Sequence, residues 1–260
     1  MSSNRSKVTL GGREVTRVGL GTNRLTDTDD NRTFLRGAVE AGIEMIDTAH
    51  LYAEGDSETT IGNTRGSIPD SVVVATKGGF GSGSGATTDE LRTELELSFE
   101  RLQTDRIDLY YVHRLHAEVP ITETMELLAE YVNEGRIEHV GLSEVTVDQI
   151  EEARRTLPIA AVQNEFSLSE RKHDEVVDHC ESESIAFVPF FPLRTADTDA
   201  VGEVARSTGA TPNQVIIAWL LHRSPAILPI PGTLSLDHAK ENLAALELEL
   251  SEEDLQRLAS

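Results

Sequence analysis

Four polar side chains stand at or just beyond the ends of otherwise apolar runs. Asp47 closes Met45-Ile46-Asp47, Tyr52 follows shortly after it, Lys77 ends the run from Val72, and His113 ends the run from Leu109. A phenol is a weak acid of pKa about 10, and an ammonium beside it favours the anion. A carboxylate beside that ammonium keeps it charged and oriented. Such a group can pass a proton to the alkoxide forming from a carbonyl, while a second donor such as His113 fixes the carbonyl oxygen. The set has no hydride of its own, so this chemistry implies a nicotinamide cofactor. Each residue also has a plainer reading: Asp47 as a cap, Tyr52 as surface packing, Lys77 as a solvated charge, His113 as a satisfied core histidine. Convergence favours the chemical reading, because three neighbouring runs would aim these groups at one mouth.

The elements that would position them are legible as an alternation. Short apolar, β-branched runs occur at 18–22, 45–48, 72–77, 109–113, 139–143, 161–164, 186–190 and 226–230, and stretches with helical spacing separate them. The runs are apolar almost throughout, as parallel strands covered on both faces must be. Eight such units over 260 residues predict a (β/α)8 TIM barrel, an α/β fold, as a single domain over 1–260. Helices are expected to begin near Asp30, Ser57, Thr88, Thr122, Thr146, Glu170, Pro212 and Ser235, with Thr211 capping Pro212. Val8-Thr9-Leu10 and Glu14-Val15 flank Gly11-Gly12, which reads as a β-hairpin closing the barrel bottom. Ser251 and Asp254 form a near capping box for a last short helix. The stretch from Gly78 to Gly85 is too glycine-rich for strand or helix and reads either as a mobile pocket rim or as a spacer.

Composition narrows the partners. Against 45 Asp and Glu stand 23 Lys and Arg, a net charge of -22, which repels phosphate backbones and argues against nucleic-acid binding. Only four of the cations are lysines: Lys7, Lys77, Lys172 and Lys240. The balance resembles that of proteins from salt-loving organisms, whose self-repulsion is screened by salt; an ordinary acidic protein is the alternative. No apolar run is long enough to span a membrane, and Met1 to Lys7 lack the apolar stretch of a secretion signal, so a cytoplasmic location is expected. Cys180 is the single cysteine and reads as packing, and no metal site is expected. Oligomeric state is not legible.

Asp47-Thr48-Ala49-His50-Leu51-Tyr52, Val74-Ala75-Thr76-Lys77 and Leu109-Tyr110-Tyr111-Val112-His113 together resemble the tetrad of the aldo-keto reductase family. Further likenesses are Ser57-Glu58, Gly135-Arg136-Ile137, Val140-Gly141-Leu142-Ser143, Gln163-Asn164-Glu165, Phe190-Phe191-Pro192-Leu193, Ile230-Pro231-Gly232-Thr233 and Glu241-Asn242. The resemblance implies NADPH- or NADH-dependent reduction of small aldehydes or ketones. Tyr52 would be the general acid, with Lys77 and Asp47 supporting it and His113 positioning the carbonyl. It also implies that Ser143 and Gln163 hold the nicotinamide carboxamide and that Phe190 stacks on the ring. Thr22, Asp47, Leu193, Gly232, Thr233, His238, Glu241 and Asn242 fall at its other cofactor-contact positions.

Two departures carry expectations. Glu144 stands where relatives have asparagine, and a carboxylate cannot donate to a carboxamide oxygen. Gly232 and His238 stand where NADPH-preferring members present cations, so the preference for NADPH over NADH should be weak. The brief stretch after Leu193 predicts an open pocket. A second reading is a cofactor-binding regulatory protein similar to channel β-subunits; the complete tetrad argues for turnover, since a binding module needs no acid.

Overall fold

A computed structural model of the chain describes residues 6–195 and 198–259. Met1 to Arg5, read above for a secretion signal, lie outside the described residues, as do Ala196 and Asp197 of the stretch after Leu193.

Alternation along the apolar runs builds the molecule. Seven strands pair in parallel in chain order: β3 (Leu20–Gly21), β4 (Met45–Asp47), β5 (Val73–Gly78), β6 (Ile107–Val112), β7 (Ile137–Ser143), β8 (Ile159–Gln163) and β9 (Ala186–Phe187). One face of each strand turns inward, so Met45, Val73, Ala75, Leu109, Tyr111 and Ala161 fill the barrel interior. The intervening residues Ile46, Val74, Tyr110, Val140, Val162 and Phe187 turn outward and pack on the helical layer, against Leu35, Leu91, Leu95 and Val215. Burying each such side chain contributes about 1.5–3 kcal/mol. This is the (β/α)8 barrel expected from the sequence.

The bottom is closed by the antiparallel hairpin of β1 (Lys7–Leu10) and β2 (Arg13–Thr16), which carries Val8, Leu10 and Val15 into the interior cluster. Gly11 and Gly12 both have positive φ, 56° and 81°, as a two-residue turn of this hand requires. A side chain on Gly11 would also collide with the ring of His139 at the start of β7.

The eighth run, 226–230, closes the barrel without forming a regular ladder. Leu228 N–H donates to Phe187 O, while Gly19 and Gly21 donate to the carbonyls of Pro229 and Pro231. The two prolines have no N–H to return, which is why the ladder is broken there. Gly21 permits the closure, since a Cβ on it would lie 2.7 Å from Ile230 O. Pro189 shortens β9 in the same way, and pairing resumes at Phe190 N–H to Asn164 O.

The helices are α1 (Asp29–Glu40), α2 (Asp56–Thr64), α3 (Thr88–Leu102), α4 (Ile121–Asn133), α5 (Val147–Arg154), α6 (Asp174–Ser182), α7 (Thr198–Thr208), α8 (Pro212–Arg223), α9 (Leu236–Ala244) and α10 (Glu252–Ala259). Thr87, Thr146 and Thr211 close capping boxes on α3, α5 and α8. Two expectations fail locally. The helix expected from Glu170 starts at Asp174, because Ser167 and Glu170 side chains bond Glu170 N–H and Lys172 N–H and hold a turn instead. Helix α7 was not anticipated, although Val201, Val204 and Ala205 are its buried face.

Candidate active site

The interior alternation that ends in apolar residues at the bottom of the barrel ends in polar ones at the top. Asp47 continues the face of Met45, Lys77 that of Val73 and Ala75, His113 that of Leu109 and Tyr111, and Gln163 that of Ala161. All four therefore point to the C-terminal mouth, where barrel enzymes carry their chemistry. His113 falls one residue beyond the end of β6, anchored by its N–H to Gly78 O at 2.7 Å.

Lys77 is fully buried, and its Nζ donates to Asp47 Oδ1 at 2.6 Å, Thr48 O at 2.6 Å and Tyr52 Oη at 3.4 Å. Gln163 Nε2 donates to the other Asp47 oxygen at 2.8 Å. Burial pulls the Lys77 pKa down, but the Asp47 carboxylate and Tyr52 outweigh it, so the net shift is upward and the ammonium stays charged. His113 meets the Tyr52 ring edge-on, with centroids 6.2 Å apart. Burial first, then the charges of Lys77 and Arg114, pull the His113 pKa down to about 2, so its imidazole is neutral.

Tyr52 lies outside the strands and needs its own support. Ala53 and Glu54 have φ of 49° and 57° and Gly55 has 98°, so the chain reverses sharply just after the tyrosine. A knot of buried hydroxyls holds the two ends of this loop: Ser57 Oγ donates to Thr22 O and lies 2.7 Å from Thr48 Oγ1. Glu58 accepts from Thr76 at 2.6 Å and faces Arg101, which in turn donates to His50 O. The Ser57-Glu58 pair thus braces the Tyr52 loop against β3, β4 and β5.

A cavity of about 800 Å3 opens over this group. Thr22, Asp47, Tyr52, His113, Ser143, Gln163, Phe190, Leu193 and Gly232, all expected from the sequence, line it. Thr233, His238, Glu241 and Asn242 do not. Thr233 precedes α9, and His238, Glu241 and Asn242 lie along it; Ser235 caps the helix by accepting from His238 N–H. Glu241 bonds the Thr211 hydroxyl at 2.7 Å and so ties α9 to α8. Asn242 is buried with its Oδ1 unpartnered. The amide and hydroxyl groups of the cavity lining, together with the orphaned amide oxygen of Asn242 on α9, fit a dinucleotide.

Glu144 behaves differently from expectation. It adopts φ of 55° and turns its carboxylate to Glu165 N–H at 2.7 Å and Lys172 Nζ at 3.3 Å, off the cavity lining. Burial would raise its pKa, but the nearby His173 ring and the bond from Glu165 N–H, with the Lys172 charge, hold it down at about 2. Sequence reasoning missed Phe80, Arg114, Asn23, Arg24 and Arg194 in the lining. Phe80 comes from the glycine-rich stretch, folded into a turn by Gly83 and Gly85 N–H bonds to Phe80 O, and its ring lies 4.9 Å from His113. That stretch is therefore a rim of the pocket. Arg114 had a usable signal, a cation directly after a strand-end histidine.

A barrel with a buried Lys–Asp pair under a tyrosine, at the mouth of a cavity shaped for a dinucleotide, defines a class of barrel oxidoreductases. The family model described as the aldo/keto reductase family matches residues 17–260, and the chain belongs to that family. Pyridoxine 4-dehydrogenase of Escherichia coli is 36% identical over 282 residues, which cover 99% of this chain and 98% of that protein. An uncharacterised oxidoreductase of Schizosaccharomyces pombe is 35% identical over 99% of this chain and 90% of its own length. Among solved structures, a thermostable aldo-keto reductase in complex with the inhibitor epalrestat superposes with a TM-score of 0.88 at 30% identity, covering 97% of this chain and 98% of that one. An aldo/keto reductase of Klebsiella pneumoniae in complex with NADP and acetate gives 0.86 at 29%, covering 97% and 94%. The protein is an NAD(P)H-dependent oxidoreductase acting on carbonyl compounds. The regulatory-subunit reading finds no support among these relatives. No helix among the described residues is long and apolar enough to cross a membrane.

Proposed function

We propose that Tyr52 is the general acid of carbonyl reduction, with Lys77 and Asp47 as its support and His113 as the group that fixes the carbonyl oxygen. The observation that carries this is the bond from a fully buried, charged Lys77 to Tyr52 Oη at the floor of the cavity. A bound nicotinamide supplies the hydride. As negative charge grows on the carbonyl oxygen, Tyr52 gives up its proton, and the Lys77 ammonium stabilises the phenolate left behind. Asp47 keeps Lys77 charged, and Gln163 fixes Asp47. The neutral His113 ring donates a hydrogen bond without taking a proton from the reaction.

Ser143, Gln163 and Phe190 would hold the nicotinamide end, and Thr22, Leu193, Gly232, Thr233, His238, Glu241 and Asn242 the remainder. Residues 1–260 act as one domain, in the cytoplasm, on small aldehydes or ketones. A screen of such compounds with NADPH and with NADH tests the assignment. Tyr52→Phe should lower kcat by about 10²–10⁴-fold while leaving cofactor Kd unchanged. A wild-type protein that binds cofactor yet reduces nothing, or an unaffected Tyr52→Phe, would refute it.

A further inference from the structure

Arg114 follows His113 and lines the same cavity. Its guanidinium sits half-buried between two aromatic rings, 5.6 Å from the centroid of Phe80 and 5.8 Å from that of Phe190. Nη1 donates to His113 O and to Ser143 Oγ at 3.1 Å. Those are its described bonds; the other donors of the fork find no acceptor among the described residues, and no ion pair there includes it.

That state is anomalous in a chain with 45 acidic and 23 basic side chains. Carboxylates are in surplus, and of the two other arginines in the cavity lining Arg24 is exposed to solvent while Arg194 pairs with Glu165. Glu144, the other carboxylate whose charge Arg114 senses, is bonded by Lys172. Removing a cation from water is costly unless an anion compensates it. Burial accordingly pulls the Arg114 pKa down, although a guanidinium remains charged at neutral pH. Its field reaches both Tyr52 and His113, so an anion bound here would lie beside the reacting carbonyl. A planar fork with free N–H groups, stacked between rings, is suited to a carboxylate.

We infer that Arg114 is a specificity-determining residue that receives a carboxylate of the substrate, and that the preferred substrates are aldehydes or ketones bearing an anionic group. This rests on the reading of the cavity as the site of carbonyl reduction. It differs from a role in bracing Ser143 for the cofactor, which would be indifferent to substrate charge.

The test uses shape-matched pairs: 4-carboxybenzaldehyde against 4-isopropylbenzaldehyde, and succinic semialdehyde against 4-methylpentanal. In wild type, kcat/KM should favour the acid of each pair. In Arg114→Gln the acid-to-neutral ratio should fall by about tenfold or more, equivalent to about 1.4 kcal/mol, mainly through KM of the acid. Arg114→Lys should restore part of the ratio, as a point charge without the fork. The wild-type ratio should also shrink in molar KCl. A ratio that stays within about threefold of wild type in Arg114→Gln overturns the inference, and a rise in cofactor Kd that lowers kcat/KM equally for both members of each pair would assign Arg114 to the cofactor instead. If wild type reduces the neutral aldehydes and Tyr52→Phe does not, the reductase assignment stands whatever Arg114 does. If neither member of any pair is reduced, that assignment itself has failed.

Discussion

Lys77 and Asp47 form an ion pair at 2.6 Å in which both side chains are at most 1% exposed. Neither charge can be hydrated, so each depends on the other. Removing one partner of such a pair costs about 3–5 kcal/mol, because the remaining charge is stranded. Asp47→Asn and Lys77→Met should each lower stability by that order in urea unfolding. The double variant should be more stable than the sum of the two losses, because it strands nothing. Additive losses would show that the two residues are not coupled.

His113 gives the site a defined acid sensitivity. Its folded pKa, about 2, lies below the ordinary value of 6.5, so between those limits the unfolded chain binds a proton that the folded one refuses. Stability from this group is complete above about pH 6.5 and is lost as the pH falls, by about 1.4 kcal/mol per pH unit once the unfolded histidine is protonated. His113→Gln should therefore flatten the dependence of unfolding free energy on pH between about 6 and 4 by close to one proton. Equal slopes for the two proteins would mean that the buried ring takes up the proton in the folded state.

The strands and the strand-end members of the tetrad, Asp47, Lys77 and His113, were legible for one reason. In Val72 to Lys77 the apolar residues announce a strand covered on both faces, and a lysine at its end is anomalous for that environment. Alternation then fixes its direction, because Lys77 must share the inward face of Ala75 and Val73. Arg114 was not legible in this way. Its partners Phe80 and Phe190 come from a turn and from the far side of the barrel, and its lack of a carboxylate is a fact of three-dimensional packing. The irregular eighth run follows from Pro229 and Pro231, which were visible in the sequence but were outweighed by the apolar pattern around them. Glu144 was read as facing the nicotinamide because of its position after Ser143; the left-handed turn that carries it toward Lys172 has no local sequence signal.

Under the proposed cofactor placement, the surroundings of the start of α9 set the cofactor preference. Gly232 and the exposed His238 offer no permanent cation there, and Ser235 Oγ already occupies the His238 N–H. Backbone N–H groups at the helix start remain as phosphate donors, so NADPH should bind, with NADH close behind. Titration of both should give a Kd ratio below about a hundredfold, or about 2.7 kcal/mol. His238→Arg should raise that ratio by adding a fork for the 2'-phosphate. A wild-type ratio well above a hundredfold would point to a phosphate site elsewhere.

Salt should stabilise this protein. Its surface carries several ion pairs, such as Arg92 with Glu130 and Arg257 with Glu253, and screening weakens these. Exposed pairs are worth about 0–1 kcal/mol each, however, and the arginines run out long before the carboxylates do. With a net charge of -22 the larger effect of salt is to relieve repulsion among the carboxylates left over. The Debye length falls from about 10 Å at 0.1 M to about 3 Å at 1 M, which is shorter than most spacings between surface charges. Melting temperature should therefore rise with KCl and level off near molar concentration, where screening is complete. A rise that continues linearly beyond that point would indicate exclusion of salt from the surface. A flat or falling curve would mean that the attractive pairs dominate, and the salt-loving reading of the composition would be lost with it.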